Sequence, residues 1–214
     1  MRRYVVGVTG ASGSLCARSV LSELARHPDV DEIHVVLSRF SLLTLNAELG
    51  VKTRDEAAGL RALLGRPRGG PPRRGRGAGR GSAARLILHN SGDMAAPISS
   101  GSFPTDGMIV VPCSGGTLAA IATGVSQNLV HRAAEVTLKE NRPLILAFRE
   151  APLGLVHIDN MRRAVRAGAS IFPLTPAFYN RPQSIEEIVV QFTARIFDLL
   201  RLPHGLGKRW GLPR

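Results

Sequence analysis

Tyr4-Val5-Val6-Gly7-Val8-Thr9-Gly10-Ala11-Ser12-Gly13-Ser14 decides the fold. Residues 4–9 form an apolar, β-branched run without polar alternation, the pattern of a strand buried on both faces, and such strands belong to parallel sheets. Gly10-Ala11-Ser12-Gly13 then turns the chain into a helix over Ser14–Arg26, which His27-Pro28-Asp29 stops. Strand, glycine turn and helix together place a loop at the carboxyl end of a strand, where open α/β sheets bind ligands. The free N–H groups of the helix start favour a polar or anionic group there. The stretch is neither a full GxGxxG fingerprint nor a P-loop ending in Gly-Lys-Ser/Thr, so it speaks against dinucleotides and nucleoside triphosphates. A purely structural turn is the competing reading.

The same alternation continues outward. Further strands are expected at 33–37, Arg85–His89, 108–111, Leu144–Phe148 and Ala169–Pro173. Helices are expected at 40–49, 54–64, 117–121, 129–138, 156–167 and 184–200. Apolar strands alternating with helices imply a three-layer αβα, Rossmann-like domain around a central parallel sheet, spanning residues 1–200. Residues 201–214 read as a basic C-terminal tail. Residues 65–82, rich in Gly, Arg and Pro, bury little apolar area and read as a disordered surface insertion.

Composition narrows the function classes. The formal charge is +12, from 28 Lys and Arg against 16 Asp and Glu. Arg66, Arg68, Arg73, Arg74, Arg76 and Arg80 supply half of that excess from the insertion alone. Neither the insertion nor the tail interleaves aromatic residues with arginine as a base-stacking platform would, so no specific nucleic-acid partner is expected. No apolar run reaches the roughly 18 residues of a membrane span, so no membrane partner is expected either. The two cysteines, Cys16 and Cys113, form no CxxC pair, which fits a reducing cytoplasm. Six scattered histidines offer no metal-ligand spacing, and no metal is expected.

A second punctuated turn, Val111-Pro112-Cys113-Ser114-Gly115-Gly116-Thr117, also follows an apolar strand and precedes a helix. Its hydroxyls and glycines suit the polar edge of a cofactor, whereas Cys113, with no readable Cys–His arrangement, reads as a packing thiol. Arg132, Lys139, Arg149, Glu150, Tyr179 and Arg195 lie on separate elements that can converge at a strand edge. Lys139 and the arginines suit a phosphate, Tyr179 adds a hydroxyl donor, and a desolvated Glu150 suits proton transfer. Solvated surface charge and ordinary ion pairs remain the alternative for each.

Thr9-Gly10-Ala11-Ser12-Gly13, Ser99-Ser100-Gly101-Ser102 and Pro112-Cys113-Ser114-Gly115-Gly116-Thr117-Leu118 resemble motifs of the UbiX-type flavin prenyltransferases, flavoproteins long described as aromatic-acid decarboxylases. The resemblance continues through Arg132-Ala133-Ala134-Glu135-Val136-Thr137-Leu138-Lys139-Glu140 and Arg142-Pro143-Leu144. It closes with Arg149-Glu150-Ala151-Pro152-Leu153 and Pro176-Ala177-Phe178-Tyr179-Asn180-Arg181-Pro182-Gln183. The blocks occur in family order and nearly span the chain.

The resemblance implies an enzyme that moves a dimethylallyl group from dimethylallyl monophosphate to reduced FMN. It implies N5–C1′ and C6–C3′ bonds, release of phosphate, a homo-oligomer (usually a homododecamer with sites between subunits), and a UbiD-type decarboxylase as the recipient of prenylated FMN. It places Gly10, Ala11, Ser12, Ser38, Cys113, Ser114, Gly115, Gly116 and Arg132 at the flavin. It places Lys139, Arg149, Glu150, Tyr179 and Arg195 around the prenyl phosphate, with Ser12, Lys139, Arg149 and Glu150 in the chemistry. Gly115-Gly116 departs from the side-chain-bearing pair common in relatives, and the segment before Ser99 lacks a tryptophan that some members carry. Two other readings stand beside it: an FMN-dependent cysteine-derivative decarboxylase, disfavoured because His27 and His34 do not reproduce that class's histidine, and a noncatalytic FMN-binding protein.

Overall fold

The computed structural model describes residues 1–65 and 83–207. Six parallel strands form one sheet in the order β3-β2-β1-β4-β5-β6. They are β1 (Arg3–Val8), β2 (Glu32–Leu37), β3 (Arg85–His89), β4 (Gly107–Cys113), β5 (Leu144–Phe148) and β6 (Ala169–Pro173). The helices are α1 (Ser14–Arg26), α2 (Arg39–Leu49), α3 (Glu56–Leu64), α4 (Gly115–Thr123), α5 (Leu129–Lys139), α6 (Leu155–Arg166) and α7 (Ile185–Leu199). Short 3-10 turns at Pro97–Ser99 and Phe178–Asn180 add to them.

Alternation along the strands divides the core. Tyr4, Val6 and Val8 face one side with Ile33, Val35 and Leu37, under α1, α2, α3 and α7. Val5 and Val36 face the other with Met108 and Val110, under α4, α5 and α6. Both faces are covered, which is why the strands lack polar alternation and why the layers number three. Strand order reverses its direction of growth between β1 and β4, so the loops after these two strands diverge and open a crevice at the carboxyl edge.

Side-chain caps set several helix starts. Ser114 Oγ accepts the Thr117 N–H, so α4 begins at Gly115, earlier than its periodicity indicates. Asp55 accepts from Ala57 and Ala58, so α3 begins at Glu56. Beyond α7 the chain stays on the domain as far as it is described: Leu202 is buried, and His27 Nε2 lies 2.7 Å from the Pro203 carbonyl oxygen. The insertion expected at 65–82 lies outside the described residues apart from Gly65, as does the end of the tail from 208. No helix among the described residues is long and apolar enough to cross a membrane.

Candidate active site

The carboxyl edge is organised around Thr9. Its Oγ1 donates to the Pro112 carbonyl at 2.7 Å and accepts the Ser114 N–H at 2.9 Å, while its own N–H reaches the same Pro112 carbonyl at 3.3 Å. One buried hydroxyl thereby fixes the β1–α1 loop to the β4–α4 loop. The Arg149 N–H donates to the Cys113 carbonyl at 3.1 Å and ties the end of β5 into the same edge.

The start of α1 is already filled. Gly13, at φ 131°, a conformation that side chains rarely adopt, caps the helix. The N–H groups of Gly13 and Ser14 donate to the Glu48 carboxylate of α2 at 3.0 and 2.7 Å. Burial pushes this carboxyl up, but hydrogen bonds from the Ser12 and Ser14 side chains and from the two amides together hold it below the ordinary carboxylate value. The anion expected at this helix start is therefore the protein's own. Gly10 likewise serves the scaffold, since a β-carbon there would meet Phe40 Cβ at 2.7 Å.

Ser12, Glu48 and Arg149 line a cavity of about 430 Å³ walled by Leu174, Ile188 and Phe192. Among the described residues the Arg149 guanidinium has no ion-pair partner, although Glu48 shares its cavity. Phe192 also walls a second cavity of about 490 Å³, in which Tyr179 and Arg195 meet Asp198 and His204. Arg195 is held there by Asp198 at 2.6 Å. A third grouping lies at α4, where a β-carbon on Gly115 would sit 3.3 Å from His157 Nε2 and 3.6 Å from Glu150 Oε2. One on Gly116 would meet nothing within 4 Å, so that turn is open.

Other expected site residues are placed differently. Ala11 is buried in the turn, and Ser38 caps α2 by accepting the Ser41 N–H at 3.3 Å. Ser114 caps α4. The Cys113 side chain is fully buried in the core beneath α4 and α5, where desolvation pushes its thiol far up, so only its backbone reaches the edge. Burial, with Glu48 nearby, pushes Cys16 up to about 11, and neither thiol is poised as a nucleophile. Arg132 and Lys139 lie on α5 among a self-paired group. Arg132 Nε donates to the Ser99 carbonyl at 3.1 Å and its NH1 pairs with Glu135 at 3.1 Å, while Lys139 pairs with Glu140. Because α5 runs down to the start of β5, Lys139 stands at the amino edge of the sheet, away from Arg149 and Glu150 of its own chain. Thr9, Glu48 and His157 were not singled out by the sequence. Their partners lie across loop and helix boundaries, and only the glycine turns hinted at them.

Comparison with known proteins agrees with this fold. The Flavoprotein family model matches residues 1–193. A probable UbiX-like flavin prenyltransferase of Escherichia coli O157:H7 is 40% identical over 213 residues, covering 99% of this chain and 95% of that protein. The crystal structure of AnUbiX (PadA1) with FMN and dimethylallyl pyrophosphate is 41% identical, covers 100% of this chain and 99% of its own, and superposes with a TM-score of 0.82. A dodecameric FMN-dependent UbiX-like decarboxylase from Escherichia coli O157:H7 is 39% identical with a TM-score of 0.81, covering 97% of this chain and 98% of its own. The chain belongs to the Flavoprotein family, whose model spans most of its length. Within it, the chain is a member of the UbiX-like flavin prenyltransferases.

Proposed function

We propose that the protein transfers a dimethylallyl group from dimethylallyl monophosphate to reduced FMN and releases phosphate, making prenylated FMN for a UbiD-type decarboxylase. The observation that carries this reading is the Arg149 guanidinium, without an ion-pair partner among the described residues, beside Ser12 and Glu48 in a carboxyl-edge cavity of a chain about 40% identical to flavin prenyltransferases along its length.

The residues present fit a phosphorylated ring ligand. The open α4 start offers the Gly115 and Gly116 amides, Ser12 offers an exposed hydroxyl oriented by Glu48, and Gly10, Ala11, Ser38 and Cys113–Ser114 shape the surrounding turns by backbone and packing. Bound reduced FMN supplies the nucleophilic N5 and C6 that receive the prenyl carbons. Cleavage of the prenyl C–O bond leaves its electron pair on phosphate, and Arg149, Arg195 and Lys139 stabilise the charge that develops there. Tyr179 donates to the same phosphate. Glu150 would carry the protons: the one displaced from N5 to the departing phosphate and, in ring closure, one to the prenyl C2′ as C3′ joins C6, balanced by the one C6 gives up.

Lys139 and Arg132 reach such a site from a neighbouring protomer. Leu155, Val156, Ile158 and Val165 leave α6 with an apolar face that is half-exposed or more, as a homo-oligomer would need. The dodecameric relative supports a homododecamer. The enzyme works in the cytoplasm, consistent with its two free cysteines.

Anaerobic incubation of purified protein with reduced FMN and dimethylallyl monophosphate, followed by mass analysis of the extracted flavin, tests the reading. A prenyl adduct is expected. Folded, FMN-loaded protein that forms none defeats the proposal, and a parallel arm with the pyrophosphate identifies the preferred donor.

A further inference from the structure

The start of α6 holds a histidine that the reaction as drawn leaves unused. His157 Nδ1 accepts the Gly154 N–H at 3.0 Å, which puts the hydrogen of the neutral ring on Nε2. Phe148, the last residue of β5, packs against the ring with centroids 6.3 Å apart. With these two contacts the ring is held from behind, and Nε2 is turned toward α4, against which α6 packs. Glu150 approaches the same place from the β5 side. Its Oε1 accepts the Ala151 N–H at 3.1 Å, and Oε2 faces Gly115. An imidazole N–H and a carboxylate oxygen therefore flank one point at the first turn of α4. That point is free because residue 115 is glycine; a β-carbon there would press on His157 at 3.3 and 3.5 Å.

We infer that His157 is a positioning residue for Glu150, its Nε2–H supporting the Glu150 carboxylate over the Gly115 end of α4. The inference rests on the proton-carrying role proposed for Glu150. It gives the imidazole two separable duties: Nδ1 caps α6, and Nε2 serves the site.

Two substitutions separate them, because an asparagine oxygen stands in for Nδ1 and a glutamine amide stands in for Nε2–H. With holoenzyme, prenyl-FMN formation, FMN affinity, Tm and the pH dependence of kcat are measured for His157→Asn, His157→Gln, Glu150→Gln and the double variant Glu150→Gln/His157→Asn. His157→Asn is expected to keep its Tm and the KM for the prenyl phosphate but to lose about tenfold or more in kcat, with its acid limb displaced. His157→Gln is expected to recover most of that kcat at a lower Tm. The double variant should be no slower than Glu150→Gln alone, because the histidine acts through the carboxylate. The reverse order, Asn active and Gln slow, leaves His157 as a cap only and overturns the inference, as do equal losses in the two variants or additive losses in the double. A slow Glu150→Gln beside a full-speed His157→Asn overturns this inference alone. A full-speed Glu150→Gln overturns it together with the role given to Glu150.

Discussion

The carboxyl edge of the sheet and the outer face of α5 both carry charge chemistry of the same kind, cations beside hydroxyls, yet they hold it in opposite ways. At the edge, Arg149 has no ion-pair partner among the described residues and shares a cavity with Ser12 and Glu48. On α5 the cations are engaged: Arg132 with Ser99 and Glu135, Lys139 with Glu140. Arg142, just beyond, binds the Gly101 and Phe103 carbonyls and Thr105 Oγ1. The first region is built to receive a ligand. The second is a self-satisfied surface whose exposed pairs add little stability of their own, and it presents its charge outward. On the proposed reading, the two regions come from different protomers of one site.

Mixed assemblies test that assignment most severely. Lys139→Ala and Arg149→Ala should each lose most of the prenyl transfer when pure. Co-expressed with two different tags and purified through both, they should recover activity, because an assembly joins one chain's intact Arg149 to another chain's intact Lys139. Random mixing in equal amounts restores on the order of a quarter of the sites. No recovery in verified mixed assemblies would place both residues in one protomer's site and break the comparison.

A smaller effect is expected within the edge itself. Thr9→Val keeps the shape of a fully buried side chain but removes the hydroxyl that spans both loops, leaving the Ser114 N–H without its acceptor. The expected loss is about 1–3 kcal/mol of stability, with FMN affinity weakened more than the KM for the prenyl phosphate. Thr9→Ser should restore both. Thermal unfolding and flavin titration read the two effects, and a Thr9→Val protein that binds FMN like the parent would leave the clamp without a role in the site.

The two regions were unequally legible in the sequence. Strands such as β1 and β5 stood out because burial on both faces removes polar residues, and the glycine turns marked where the chain leaves them. The start of α4 was obscured because Gly115 and Gly116 are poor helix formers, and only the Ser114 cap overrides that. Residues at the edge were harder still. Thr9 meets Pro112 across 103 positions and Gly13 meets Glu48 across 35, with no local pattern to announce either contact. The separation of Lys139 from Arg149 follows from direction alone: β5 runs between them, so two residues close in sequence end at opposite edges.

The smallest predicted effect lies beneath the loop that accompanies α5. His34 Nδ1 and His89 Nε2 are 2.8 Å apart on adjacent strands, and His34 packs edge-on against Phe103, whose carbonyl Arg142 holds. His34 Nε2 is buried 3.6 Å from Glu32 Oε2, beyond hydrogen-bond reach. Burial would raise the Glu32 carboxyl, yet Arg3 and Arg85, each at 2.6 Å, hold it below its usual value and satisfy it without the imidazole. Desolvation lowers the His34 value, helped by His89, and desolvation also lowers His89. The native state therefore prefers both rings neutral. Their contribution to stability is complete above the unfolded histidine value of about 6.5 and is lost as pH falls below it. Between pH 7.5 and 5.5 the parent should lose more in Tm than His89→Gln, which keeps a donor to His34 Nδ1 but cannot take up a proton. The same acidification should weaken assembly before it weakens FMN binding, since the pair lies under the α5-side loop and away from the Ser12–Arg149 cavity. Equal pH slopes for the two proteins would show that the pair does not titrate on unfolding, and flavin loss ahead of dissociation would show that the two regions are not separable by acid.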